Sequence, residues 1–284
     1  MATLRDIRKR IKSAQNIQQI TKAMKMVSAA KLRKSQDRTM AARPYADKIA
    51  EVIGELMSSD AGSRFPLLKE HPEVKKEAVI LVTADKGLCG SFNGNLAKEV
   101  MIMMKANPDM SMFYIGKKGF DLLKKFGKEN EKFKFNDRYI GWPDVEEIGK
   151  MIIDNFSAGK YGKVTLIYSK FQTNLTQNIV KKQLLPVVFE GPAEQHAKRD
   201  YLYEPTEKDV LENLFVRYVK TSIYRAVLES QASEHGVRMA AMEKATNNAN
   251  DMIRSLTLLA NKTRQAAITN EILEIVGGAN AIKG

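Results

Sequence analysis

The sequence has little near its C-terminal end that would interrupt a helix. From Thr206 to Val276 it contains no proline and one glycine, Gly236. Because proline and glycine are the residues that most disfavour a helix interior, their scarcity predicts one helix of about seventy residues. Such a helix is on the order of 100 Å long, wider than a domain of this size, so it is expected to protrude. A bundle folded back at Gly236 is the alternative.

Cysteine and histidine are also scarce. The single cysteine, Cys89, excludes an internal disulfide and fits a reducing compartment. The three histidines, His71, His196 and His235, have no spacing typical of a zinc or haem site. No apolar run reaches the roughly 18 residues that cross a bilayer. The basic N-terminus lacks the apolar stretch of a secretory signal, so we expect a mature protein without a membrane span.

Small and apolar residues recur at intervals of three and four within the C-terminal stretch. A stripe this narrow is typical of a seam between two helices rather than of the broad face of a core helix. Because many of its members are Ala, Ser or Thr, a partner helix is expected to lie close. The predicted seam consists of Val216, Val219, Ile223, Ala226, Ser230, Ser233, Val237 and Ala240, followed by Ala241, Ala245, Ala249, Met252, Leu256, Leu259, Thr263 and Ala266.

A second long helical pattern opens the chain and runs to about residue 57, with an expected kink at Pro44. Thr3 as N-cap and Asp6 in the first turn predict its start. The predicted stripe of this helix consists of Leu4, Ile7, Ile11, Ala14, Ile17, Thr21, Met24 and Val27.

The net charge of +13 is concentrated at the N-terminus. Residues 1–34 contain ten Lys or Arg and one acid, whereas residues 204–284 contain ten charges of each sign. This excess suggests an acidic partner, which could be nucleic acid, anionic lipid or an acidic protein surface. Lys22, Lys25 and Lys31 are expected to lie off the apolar stripe. A solvated charged face is the alternative.

The middle of the chain alternates strand and helix patterns, which predicts a Rossmann-like α/β domain with a mostly parallel sheet. The predicted strands are 77–85, 110–116, 163–171 and 178–189, and the predicted helices are 96–106, 117–127 and 144–158.

The predicted fold class is therefore α/β plus long helices. The N-terminal helix enters the α/β domain by its C-terminal end, and the C-terminal helix leaves it by its N-terminal end. The two helices can then pair only as an antiparallel coiled coil, and the longer C-terminal helix is expected to overhang. The predicted limits are 1–58 for the first helix, 59–76 for a linker, 77–200 for the α/β domain and 201–284 for the last helix.

A glycine-rich turn over residues 85–95 is the main candidate for a chemical site. It follows a strand and precedes a helix, where phosphate-binding loops lie. Gly87, Gly90 and Gly94 nevertheless match neither common phosphate-loop pattern, and Lys86 precedes the glycines. An ordinary tight turn is favoured. Cys89 could be a nucleophile, but no histidine spacing suggests a partner, and burial is the commoner fate of a cysteine.

Both ends and the centre of the sequence resemble the ATP synthase gamma subunit family. The C-terminal signature is matched by residues 268–281, the N-terminal helix by residues 10–36 and the central loop by residues 83–93. The resemblance covers essentially the whole chain and suggests a bacterial form without the regulatory insertion of the chloroplast form. The signature positions are Ile268, Thr269, Glu271, Glu274, Gly278 and Ala279.

The resemblance implies the rotor shaft of a proton-translocating ATP synthase. Three alpha and three beta subunits would surround the shaft, and epsilon and the membrane proteolipid ring would hold its foot. The chain would be non-catalytic, would bind no cofactor or metal, and would lie peripherally on the cytoplasmic face of the bacterial membrane. A nucleic-acid-binding or scaffolding coiled coil and an α/β enzyme are the alternatives, and nucleic-acid binding would fall steeply with salt.

The resemblance also implies partner-binding residues. Gln265, Thr269 and Glu271 would face a loop of the beta subunits, and Arg238 would hold the helices and that loop in register. Met24 and Lys25 would lie where the shaft meets an acidic lever of beta. Tyr201 and Glu204 would lie near the proteolipid ring and epsilon.

Overall fold

The computed structural model describes residues 3–56, 65–127, 129–133, 140–173, 177–188, 204 and 206–283. Contacts divide the chain into two compact units. The first unit combines Met1–Ser28 with Met239–Gly284, and the second is Ala29–Arg238. The limits predicted from the sequence at residues 58, 76 and 200 stay predictions.

Two long helices supply the first unit, and both continue into the second. Helix α1 is Leu4–Leu56 and helix α5 is Glu207–Lys283. The predicted start of α1 is confirmed, because the Asp6 N–H donates to the Thr3 hydroxyl and the Thr3 N–H donates to the Asp6 carboxylate, each at 3.3 Å. Helix α1 passes through Pro44 without a break in its assignment.

The helices of the first unit pair in the antiparallel sense, as predicted. Gln18 donates to Asn250 at 2.6 Å, and the Thr246 hydroxyl donates to that of Thr21 at 2.8 Å. Lys25 lies 2.6 Å from Glu243. Partners on α5 therefore move back along the chain as those on α1 move forward.

The seam of this unit repeats every seven residues. On α1 its buried members are Ile7, Ala14, Thr21 and Ser28, and on α5 they are Met242 and Ala249, followed by half-buried Leu256 and Thr263. A strict seven-residue repeat is the signature of a two-helix coiled coil.

The predicted phase of the seam is wrong in part. Ile17, Val27 and Met252 are more than half exposed, and Leu259 is 46% exposed. A straight helix drifts by about 20° per heptad from a seven-residue repeat. A stripe traced through the most apolar residue of each turn therefore leaves the face that contacts the partner helix. Lys25 was expected off the stripe, but it pairs across the seam with Glu243.

The second unit is built on one five-stranded sheet in the order β3-β2-β1-β4-β5. All neighbouring pairs are parallel except β4 and β5, so the predicted mostly parallel sheet is confirmed. The strands are β1 Glu77–Val82, β2 Ser111–Ile115, β3 Glu129–Phe133, β4 Lys163–Phe171 and β5 Gln177–Leu185. Strand β3 was not predicted, because its sequence ENEKF has no apolar run.

Helices cover both faces of this sheet. The intervening helices are α2 Phe92–Ala106, α3 Lys117–Leu123 and α4 Trp142–Ser157. Alternate residues of β1 point to opposite faces, so Ile80 packs in a core with α4 and α5, whereas Leu81 packs in a core with α2. Phe65, Leu67 and Leu68, within the stretch predicted as a linker, are buried in the first of these cores.

Among the described residues, no helix combines the length and the apolarity that a membrane crossing requires.

Candidate functional site

The glycine-rich turn between β1 and α2 has an unusual backbone. Leu88 has φ of 60°, and Gly90 follows with φ of 56°. Positive φ is rare for a bulky residue such as leucine, and such conformations cluster at functional sites. The Leu88 side chain is nevertheless 64% exposed, so no packing against the chain's own core explains its position.

A buried arginine of α5 donates hydrogen bonds to the backbone of this turn. Arg238 is 8% exposed, and its Nη2 donates to the carbonyl oxygens of Lys86 at 3.1 Å and Gly87 at 3.2 Å. Its Nε donates to the same Gly87 oxygen at 3.3 Å. The planar guanidinium thus fixes two successive carbonyl groups of the turn, as its fork of donors allows.

A carboxylate on the preceding turn of the helix balances the charge of this arginine. Arg238 Nη1 lies 2.6 Å from Glu234 Oε1, and both side chains are largely buried. Burial raises the pKa of Glu234, while the Arg238 cation acts in the opposite direction. Paired in this way, neither charge is left alone in the interior.

His235 belongs to the same cluster. Its Nδ1 lies 3.3 Å from Arg238 Nη1. Burial, helped by the Arg238 and Lys31 cations, lowers the pKa of His235 to about 4. The imidazole is therefore neutral at physiological pH.

The turn shows no arrangement for nucleophilic catalysis in the described residues. Cys89 is buried, as predicted, and burial raises the pKa of its thiol, which opposes the reactive thiolate. Asn93 donates to Cys89 Sγ at 3.2 Å and accepts from the Ala84 N–H at 3.0 Å. The described residues also contain no cluster of metal-ligating side chains.

The predicted partner-binding residues are divided between the two units. Met24 is half-buried beside Lys25 in the first unit. Gln265, Thr269 and Glu271 are exposed on the same unit, where burial along α5 has ended after Thr263. The Thr269 hydroxyl donates to the Gln265 carbonyl at 3.0 Å, a bond within the helix. These three residues therefore point to solvent in a stretch of α5 that no other described residue of the unit covers.

The remaining predicted residues fall in the second unit. Arg238 has the internal partners given above. Glu204 is exposed and lines a groove with Asp209 and Arg217. Tyr201 lies outside the described residues.

Sequence reasoning missed the cluster around Arg238. The Glu234 and Arg238 pair at a four-residue spacing was a usable signal, because it interrupts a run of small and apolar residues. Nothing local indicated that the arginine reaches a turn 151 residues away.

Comparisons with known proteins agree over the whole chain. A family model described as ATP synthase matches residues 3–282. The "ATP synthase gamma chain" of Geobacter metallireducens is 41% identical over 288 residues, covering 100% of both chains. That of Brevibacillus brevis is 45% identical and covers 98% of both chains.

Chains of two solved structures are also similar to this chain. A chain of the Tetrahymena thermophila mitochondrial ATP synthase central stalk and c-ring is 29% identical, with a TM-score of 0.61, covering 80% of this chain and 99% of that one. A chain of the Euglena gracilis mitochondrial ATP synthase has a TM-score of 0.71 at 20% identity, covering 98% of this chain and 94% of that one. This second likeness concerns the fold alone.

Proposed function

Because the chain belongs to the ATP synthase gamma chain family, we propose that it is the central rotor stalk of a proton-translocating ATP synthase. Three alpha and three beta subunits surround it, and its foot binds epsilon and the membrane proteolipid ring. Proton flow turns the ring and the stalk, and the stalk drives ATP synthesis in the head. The chain lies peripherally on the cytoplasmic face of the bacterial membrane.

One observation in particular supports this role. The C-terminal end of α5 is an exposed helix rich in apolar side chains, which a soluble chain rarely leaves uncovered. These residues include Ile268, Ile272, Leu273, Ile275 and Val276, each about half exposed or more. A surrounding ring of subunits would enclose such a tip, and apolar contacts without fixed hydrogen bonds would permit the tip to turn.

The described geometry also suits transmission of torque along the first unit. Polar pairs cross the seam of the first unit at three successive levels, and the central pair is Thr21 with Thr246. Polar seam residues fix the register of two helices. The stalk would then act on the head by population shift, since its contacts with each beta subunit differ between orientations.

Catalysis belongs to other subunits in this proposal. Lys86 precedes the glycines of the turn, and no lysine follows them within residues 85–95, where a phosphate-binding loop would have one. We therefore expect no binding of MgATP to the isolated chain. Equilibrium dialysis tests this, and micromolar binding that is lost on Lys86→Ala would contradict it.

The partner contacts of single residues are part of the same proposal. Met24 and Lys25 meet the acidic lever of beta, and Gln265, Thr269 and Glu271 face a beta loop. Tyr201 and Glu204 lie near the ring and epsilon. Arg238 helps to hold the two long helices and that beta loop in register, in addition to the bonds that it makes to Lys86 and Gly87.

The basic first helix supplies a test. Lys22 is exposed on α1, whereas Lys25 is engaged with Glu243, so Lys22→Glu changes the outer face without breaking the seam. We expect the ratio of proton pumping to ATP hydrolysis in membrane vesicles to fall, because a like charge opposes the acidic lever. Lys125→Glu, the same change at an exposed site in the second unit, is the control. A ratio unchanged from the parent would show that the charge of Lys22 belongs only to a solvated face.

A further inference from the structure

An open groove of about 450 Å³ lies within the second unit, where α1, α4 and α5 meet. Its walls come from all three helices, with Tyr45 on α1, Trp142 at the start of α4 and Arg217 on α5. The groove is separate from the Arg238 cluster and shares Tyr45 and Arg217 with the groove that Glu204 lines.

Aromatic rings form one side of the groove. Trp142 and Tyr224 meet edge to face, with ring centroids 5.8 Å apart and an interplanar angle of 81°. Trp142 is 36% exposed, and Tyr45 is 47% exposed. Tryptophan, tyrosine and arginine are the residues that most often carry the binding energy of protein interfaces.

Cationic side chains of α5 form the other side. Lys220 lies 3.1 Å from Glu146, and Arg225 lies 2.8 Å from Asp47, so both have carboxylate partners. Arg217, in contrast, donates to a neutral acceptor, the Tyr45 hydroxyl, at 3.3 Å. A further carboxylate could replace this neutral acceptor and form a stronger, charge-assisted bond.

We propose that this groove docks a segment of another subunit that presents an aromatic or large aliphatic side chain beside a carboxylate. The apolar side chain packs against Trp142 and Tyr224, and the carboxylate binds Arg217. The inference rests on the proposed function, because that function makes the chain part of a complex. The open side of the groove favours a protein segment over a small molecule, whose pockets enclose most of the ligand.

The single tryptophan of the chain makes the groove directly observable. Anilinonaphthalene sulfonate carries both an aromatic surface and an anionic group, so it serves as a probe of the proposed chemistry. We expect saturable energy transfer from Trp142 to this probe in the full-length isolated chain, and no transfer from Trp142→Phe. Arg217→Gln should weaken the binding of the probe by about tenfold, which is the scale of one charge-assisted hydrogen bond. Lys125→Gln, which removes an exposed charge elsewhere on the unit, should leave probe binding unchanged.

The assembled complex then tests whether a segment of another subunit occupies the groove. The tryptophan-dependent probe signal should disappear on assembly, and Arg217→Gln should speed the release of the chain from the complex, whereas Lys125→Gln should not. Probe binding insensitive to Arg217→Gln, or a signal that persists in the complex, would overturn the proposal. Neither readout depends on proton pumping, so a failure here is distinct from a failure of the rotor function.

Discussion

Arg238 binds the carbonyl oxygen of Gly87 through two nitrogen atoms, Nε at 3.3 Å and Nη2 at 3.2 Å, across 151 residues of sequence. The bond joins the last helix to a turn that presents Leu88 to solvent in a rare backbone conformation. A displacement of this part of α5 must therefore move the turn or break a buried, charge-assisted bond.

Removing the arginine alone should be costly. Arg238→Leu leaves Glu234 buried without its cation, and breaking such a pair costs about 3–5 kcal/mol of unfolding free energy. The double variant Arg238→Leu with Glu234→Leu should lose less, because no buried charge remains unpaired. Urea unfolding of the parent, the single variant and the double variant measures the three unfolding free energies. Equal losses in the single and double variants would show that the Glu234 charge is not the main cost.

His235 should make stability depend on pH. Its pKa is lowered from 6.5 to about 4 in the folded chain, so between these values the unfolded chain binds more protons. Stability is then fully present above about pH 6.5 and falls as the pH drops towards 4, by up to about 3 kcal/mol. His235→Gln should flatten this part of the pH profile of unfolding. An identical slope in parent and variant would exclude His235 as the cause.

Two leucines three residues apart test the phase of the seam. Leu256 is half-buried, whereas Leu259 is 46% exposed. Leu256→Asp places a carboxylate in a partly apolar seam and should lower the melting temperature of the isolated chain clearly, at a cost of about 1–3 kcal/mol. Leu259→Asp should cost about 0.5 kcal/mol or less, as is usual at the surface. The reverse order, read from circular dichroism, would contradict the observed seam.

Lys25 and Glu243 offer a charge-swap test of the helix pairing. Both side chains are partly exposed, so the pair should contribute only about 0.2–1 kcal/mol. Lys25→Glu opposes Glu243 and should destabilise the chain by a similar amount, and adding Glu243→Lys should restore most of the loss. A double-mutant cycle in denaturant measures this coupling. Additive effects of the two changes would mean that the contact is not energetically coupled in solution.

The overall architecture could be predicted because the sequence patterns that specify it extend over many residues. Seventy residues without proline specify α5, and apolar runs bounded by charge specify the inner strands. The edge strand β3 could not be predicted, since a strand at the rim needs no apolar run.

Residue-level placement depended on information that a local pattern lacks. Gln18 and Ser28 lie in the seam while their apolar neighbours Ile17 and Val27 face outward, because helix geometry rather than hydrophobicity sets the seven-residue repeat. The bond from Arg238 to Gly87 requires the tertiary fold, so only the Glu234 and Arg238 spacing hinted at a buried pair.

Single-molecule rotation tests the rotor role most directly. An exposed cysteine introduced as Lys125→Cys would carry a bead, since the native Cys89 is buried and therefore poorly reactive. With the catalytic head fixed to a surface, we predict that ATP drives the bead in one direction, in steps that stop when ATP is withdrawn. Sustained ATP hydrolysis by the same complexes with beads that keep a fixed orientation would contradict the rotor account.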